Sequence, residues 1–123
     1  MKALILLTMI FLHIVDDFYL QGILAKMKRK KGNGNYDYIA VLIIHGYSWS
    51  FMVHLPFTSL IVLCDKFQHA PILALSIILH AGLHAIIDHE KANNHWFGLA
   101  EDQIFHIVQV VLIWATTVLA LFV

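Results

Sequence analysis

The sequence predicts an all-α fold, a four-helix transmembrane bundle with short loops. Three observations predict it. Sixty per cent of the 123 residues are hydrophobic and 13% are charged, against about 45–50% and about 25% in soluble globular proteins. The apolar residues gather into four stretches, about 3–25, 38–63, 71–89 and 99–123, each of the roughly 17–25 residues that cross a hydrocarbon core as a helix. Alternation of the β-barrel kind is absent, and lipid offers no partner to bare backbone groups, so helix is the expected conformation. A chain of 123 residues holds one domain, and mean hydropathy is +0.77.

The same arithmetic excludes a soluble enzyme, a disordered chain and a nucleic-acid-binding domain, which needs a basic surface. Eight basic residues balance eight acidic ones, so no global field attracts a polyanion. A single cysteine, Cys64, excludes a disulfide framework and a thiolate-rich metal site. Nine histidines in so apolar a chain call for a chemical explanation.

The first span begins like a signal peptide, with Lys2 before an apolar run. No small-x-small cleavage site follows, and Asp16, Asp17 and Gln21 continue the same helix, so it reads as a span. The connector from Lys26 to Asn35 is basic, then turn-forming, and holds five of the eight basic residues. Beside a transmembrane helix such a run reads as positive-inside anchoring. It predicts a multi-pass protein of the inner (cytoplasmic) membrane, with loop 26–31 and the loop Glu90 to Gly98 in the cytoplasm and both termini outside. Lys2 runs against this rule; Lys91 agrees with it. Trp49, Trp96 and Trp114, with Tyr36, Tyr38 and Tyr47, read as interface aromatics. His54, His69 and His95 read as loop or interface residues, and Lys91 as a snorkelling anchor or a phosphate contact.

Ionisable groups within a span cost about 2.5–3.5 kcal/mol each, so those present must be paired or ligated. Their spacing is regular. His13, Asp17 and Gln21 step by four, as do His80, His84 and Asp88, and Asp102 and His106 are four apart. Four residues is about one helical turn, so each set projects from one face. The second span adds His45. Counted from the basic-loop end at 1.5 Å per residue, most of these groups fall in one slab, with His13 deepest, so the constellation can converge on one point. Imidazole and carboxylate without thiolate suit Zn, with Mn or Fe as alternatives. More groups are present than one tetrahedral ion needs. That predicts either a dinuclear site or outer groups that orient the imidazoles. A metal with an open position lowers the pKa of its water to near 7 and makes a nucleophile.

The pattern His13-x-x-x-Asp17-Phe18-x-x-Gln21, an isolated His45, His84-x-x-x-Asp88-x-x-Lys91 and Asp102-Gln103-x-x-His106 resembles the small bacterial and phage membrane proteins grouped as the DUF3307 family. The resemblance spans nearly the whole chain. It implies that His13, Asp17, Gln21, His45, His84, Asp88, Lys91, Asp102, Gln103 and His106 form the functional set, and it leaves Asp16, His80 and Glu101 outside. The His-x-x-x-Asp pairs are also similar to those of intramembrane metal hydrolases such as ceramidase-like proteins, by analogy alone.

The expected function is a metal-dependent hydrolase acting on a lipid or lipid-linked substrate at the cytoplasmic leaflet. The expected ligands are His13, Asp17, His84, Asp88 and His106. Asp102 is the expected base or bridging ligand, His45 an acid or extra ligand, and Gln21 a residue that orients ligands or polarises a substrate oxygen. Gln103 and Lys91, with Gln21, would bind the polar part of the substrate. Nucleic acid is not an expected partner, and a homodimer could form through the smooth outer half of the last span. Two alternatives remain open at this point. One is a small metal-ion or proton transporter or channel, which requires polar groups through the outer half. The other is a non-catalytic membrane interaction protein, in which the His/Asp cluster is replaceable.

Overall fold

The computed structural model describes residues 1–32 and 36–122, the side chain of Phe122 excepted. The turn expected at Asn33, Gly34 and Asn35, and the end of the last span at Val123, lie outside them. The first helix, α1, covers Lys2–Ile14 and runs on as a π-helical turn, Val15–Leu20. The helix expected to reach Ala25 ends there. Gly22 has φ +50°, a left-handed conformation that glycine adopts at little cost. A short helix, α2, follows over Leu24–Met27.

The long helix α3, Asp37–Leu63, continues through Pro56. The ring removes one amide from the ladder. Near it, hydroxyls of Thr58 and Ser59 donate to the carbonyls of His54 and Leu55 at 3.2 and 2.9 Å, the kind of local partner that makes proline tolerable in lipid. Helix α4, Ala70–His89, has a proline in its first turn and continues as a second π-helical segment, Glu90–Asn94. It stops at His95, where φ is +56°. Helix α5, Leu99–Phe122, is capped by Glu101, whose Oε2 accepts from the Gly98 amide at 2.7 Å.

Among the described residues, four segments are long and apolar enough to cross a membrane: Lys2–Leu20, Asp37–Leu63, Phe67–Asn94 and Leu99–Leu121. This suggests a multi-pass membrane protein. The four helices form a ring in which α1 packs on α3, α3 on α4, α4 on α5 and α5 on α1. The α3–α4 seam is the most extensive. It is tightest at Gly46, where an added Cβ would lie 2.5 Å from the Ala81 carbonyl oxygen and 3.2 Å from Ala85 Cβ. Small residues let helix backbones approach closely in membranes.

The interior divides by polarity. Away from the basic loop it is apolar, built on Met9, Val53, Phe57, Ile61, Val110 and Ile113. Toward the basic loop it is filled by His13, Asp16, His45, His84, Asp102 and His106, each no more than 1% exposed. Leu4, Leu7, Ile43, Leu75, Leu112 and Leu119 point outward and are exposed, as expected of a lipid-facing surface.

Candidate metal centre

Each spanning helix contributes to one polar cluster, and the i, i+4 spacing explains how. On α1 and its π turn, His13 and Asp17 share a face with Asp16. On α4 His84 and Asp88 do so, and on α5 Asp102 and His106. Helix α3 delivers His45 beside Gly46, where the close approach to α4 brings His45 Nε2 within 3.1 Å of His84 Nε2. Both π segments lie where α1 and α4 pass the cluster; such turns often mark functional sites.

The donor atoms form two overlapping sets. In the first, His45 Nε2 lies 3.3 Å from Asp17 Oδ1 and 3.6 Å from Asp88 Oδ2, and His84 Nε2 lies 3.5 Å from the same Asp88 oxygen. In the second, His106 Nε2 lies 3.5 Å from Asp88 Oδ1 and 3.3 Å from Asp102 Oδ1. Asp88 therefore gives one oxygen to each set. A tetrahedral ion with bonds of about 2.0–2.1 Å holds its donors about 3.3 Å apart, which is the spacing found. Three combinations could hold an ion among the described residues: Asp17, His45 and His84; His84, Asp88 and His106; and Asp17, Asp102 and His106. His106 Nε2 and Asp102 Oδ1 face each other at 3.3 Å without a well-formed hydrogen bond. A buried polar atom left without one costs about 1–3 kcal/mol, and a cation held between these two atoms would remove the cost.

Around the donors lies a shell that orients them. Ser48 donates to Asp16 Oδ1 at 2.7 Å, and Asp16 Oδ2 faces His45 Nδ1 at 3.6 Å. A carboxylate behind a ligating imidazole holds its proton on the far nitrogen and leaves the near lone pair to the metal. His84 is held differently. Its ring stacks between Trp49, 4.2 Å away, and His106, 4.1 Å away. Asp16→Asn should lower metal affinity about 10- to 100-fold with helix content unchanged. Competition with a chelating dye measures it, and unaltered affinity would remove Asp16 from this role.

The structure reassigns several sequence expectations. His13 does not join the three ion-holding combinations. Trp49 Nε1 donates to His13 Nδ1 at 2.7 Å, so Nε2 carries the proton and donates to Gln103 Oε1 at 3.1 Å. That fixes the Gln103 amide, whose nitrogen donates to Asp17 Oδ2 at 2.8 Å and Asp102 Oδ2 at 3.1 Å. Gln103 thus links His13 to the carboxylates of Asp17 and Asp102. His45 belongs with the donors. Gln21 donates to Asp17 Oδ1 at 3.2 Å and lies 3.0 Å from His45 Nε2. Lys91 pairs with Asp102 Oδ2 at 2.5 Å.

Four residues escaped the sequence reading. Asp16 and Trp49 had a signal, being three from His13 and four from His45 on the same faces. Lys28 had none within its basic run, yet its side chain is buried and its ammonium pairs with Asp88 Oδ2. Asn93 holds that segment, accepting from the Lys30 amide at 2.6 Å and donating to the Lys28 carbonyl at 3.1 Å.

Beyond the cluster, His54 is fully buried and is neither a loop nor an interface residue. Its Nδ1 donates to the Ser50 carbonyl at 2.7 Å, and its Nε2 accepts from Ser76 Oγ at 2.9 Å. Both nitrogens are satisfied, so it links α3 to α4. Gln109 donates to the His80 carbonyl at 2.8 Å. Trp49, expected at an interface, has no exposed surface. Comparison with known proteins finds no matching family, no matching curated protein and no matching solved structure.

Proposed function

We propose that the chain is an integral membrane metal-dependent hydrolase acting on a lipid or lipid-linked substrate at the cytoplasmic leaflet. One observation carries this reading: the two oxygens of Asp88 face different imidazoles, Oδ2 toward His45 and His84 and Oδ1 toward His106, inside a cluster that offers three ion-holding combinations. Two cations held side by side by these residues would stabilise the attacking and leaving oxygens of a displacement. The donors are Asp17, His45, His84, Asp88, Asp102 and His106. Nitrogen and oxygen donors without sulfur favour Zn, then Mn or Fe. Asp102 would share its role between ligand and base for a metal-bound water.

A cavity of about 270 Å³ opens beside the donors and includes Asp17, Gln21 and Asp88 in its lining. It supports access from the end that carries the basic run. The positive-inside rule supports a cytoplasmic side for that end. The order and spacing of the four motifs support a place beside the DUF3307 membrane proteins.

A second reading, a proton or metal-ion transporter, has an observation of its own. Polar side chains continue past the cluster through His80 and Gln109 to His54, Ser50 and Ser76. Against it stands the mostly apolar character of that half, where Phe57, Ile61, Leu73 and Leu121 are buried, although a second cavity lined by Ile61, Leu73, Ser76, His80, Thr117 and Leu121 opens there.

Elemental analysis of the protein purified in lipid nanodiscs tests the proposal. The expected result is one to two equivalents of a divalent transition metal per chain, with His84→Ala losing most of it while still inserting as a helical protein. Equal metal in His84→Ala and the parent, or none in either, would overturn the reading.

A further inference from the structure

The cavity beside the cluster is unlike the rest of the interior. Its floor holds the carboxylates of Asp17 and Asp88, and its walls include Lys28, Arg29 and Lys91. Lys28 and Lys91, whose ammonium groups pair with Asp88 and Asp102, and Arg29 line a space large enough for a small anionic group, at the end of the bundle where a membrane presents its headgroups. Lys28 is not a loose surface lysine, because Asn93 clamps its backbone and its side chain is buried.

Charge arithmetic gives the cations a purpose. Within the cluster four carboxylates, Asp16, Asp17, Asp88 and Asp102, face two ammonium groups, Lys28 and Lys91. One divalent ion balances the remainder. A second leaves a surplus of two positive charges. Buried uncompensated charge is costly, so the doubly loaded site calls for a dianion. An ion at Asp88 Oδ2 also competes with the Lys28 ammonium for that oxygen, which releases Lys28 toward the cavity that it lines.

We infer that this cavity takes the phosphate of a phosphate monoester, which names the substrate class of the hydrolase proposed above and rests on that reading. A dianionic phosphoryl group matches the surplus charge, accepts the forked hydrogen bonds of an arginine and bridges a pair of cations. Hydrolysis consumes one water. Its oxygen bonds to phosphorus, the ester P–O bond breaks, and the departing alcohol takes a proton from the water, so no redox partner is required.

The test uses the full chain in nanodiscs, loaded with Zn or Mn, with metal content and phosphate binding measured on the same sample. Inorganic phosphate is expected to bind saturably by calorimetry, and chloride, a monoanion, weakly. Arg29→Gln and Lys91→Gln should each weaken phosphate about tenfold, the loss of one charge-assisted hydrogen bond, the former at unchanged metal content. Phosphate release from phosphatidic acid vesicles but not from p-nitrophenyl phosphate would identify a lipid headgroup as the source. Release from both would show that the phosphoryl group alone is recognised. Full metal loading with no phosphate binding, or binding indifferent to both substitutions, would overturn the inference and leave the hydrolase reading standing. Absence of metal would overturn both.

Discussion

Asp88→Asn should strip the proposed metal centre of its ions at once. Its two carboxylate oxygens face different donor sets, Oδ2 toward His45 and His84 and Oδ1 toward His106. An amide presents a poor donor on one side and an N–H on the other, which would point at an imidazole or a cation. The substitution also deprives Lys28 of its partner and leaves a buried ammonium, a loss of about 3–5 kcal/mol in buried pairs. We expect metal content below a tenth of the parent value and no hydrolytic activity. Asp102→Asn, which touches one set only, should retain about one ion. Elemental analysis of the two variants side by side decides the matter: equal loss in both would show that Asp88 is not shared.

The second large effect is expected at Gly46, where no donor atom is altered. A methyl group there would sit 2.5 Å from the Ala81 carbonyl oxygen. That neighbour is backbone and cannot rotate away, so α3 and α4 must separate. Overpacking of this kind costs about 1–3 kcal/mol, and the separation would pull His45 from His84, now 3.1 Å apart. Gly46→Ala should therefore lower thermal stability in detergent and weaken metal affinity at least tenfold together. Gly82 is the internal control, because nothing lies within 4 Å of its added Cβ. Gly82→Ala should keep full metal affinity and gain helix stability, by up to about 1 kcal/mol. If both substitutions behaved alike, the α3–α4 seam would not be what sets the geometry of the centre.

Much of this arrangement was legible before any coordinates. Helical spacing put His84 with Asp88 and Asp102 with His106, and depth along each span put them at one level, because both follow from the rise and pitch of a helix. The same rule covered Asp16 and Trp49, and only their departure from the motif pattern hid them. Helix ends were less legible. The first span stops at Leu20 because Gly22 is left-handed, which apolarity alone does not reveal. Lys28 was illegible, since its neighbours Lys26 and Lys30 carry the same charge; Asn93, sixty-five residues away, makes the difference.

By itself the sequence determined that four apolar helices would bury a stripe of imidazoles and carboxylates at a common depth, because insertion into lipid penalises any other placement. It could not distinguish His13 from His106, which carry the same spacing to an aspartate. Tertiary structure made the distinction. Trp49 and Gln103, from two other helices, occupy both nitrogens of His13, while His106 Nε2 faces the carboxylates of Asp88 and Asp102. The chemistry open to a buried imidazole depends on what satisfies its nitrogens, and those partners come from helices remote in the chain.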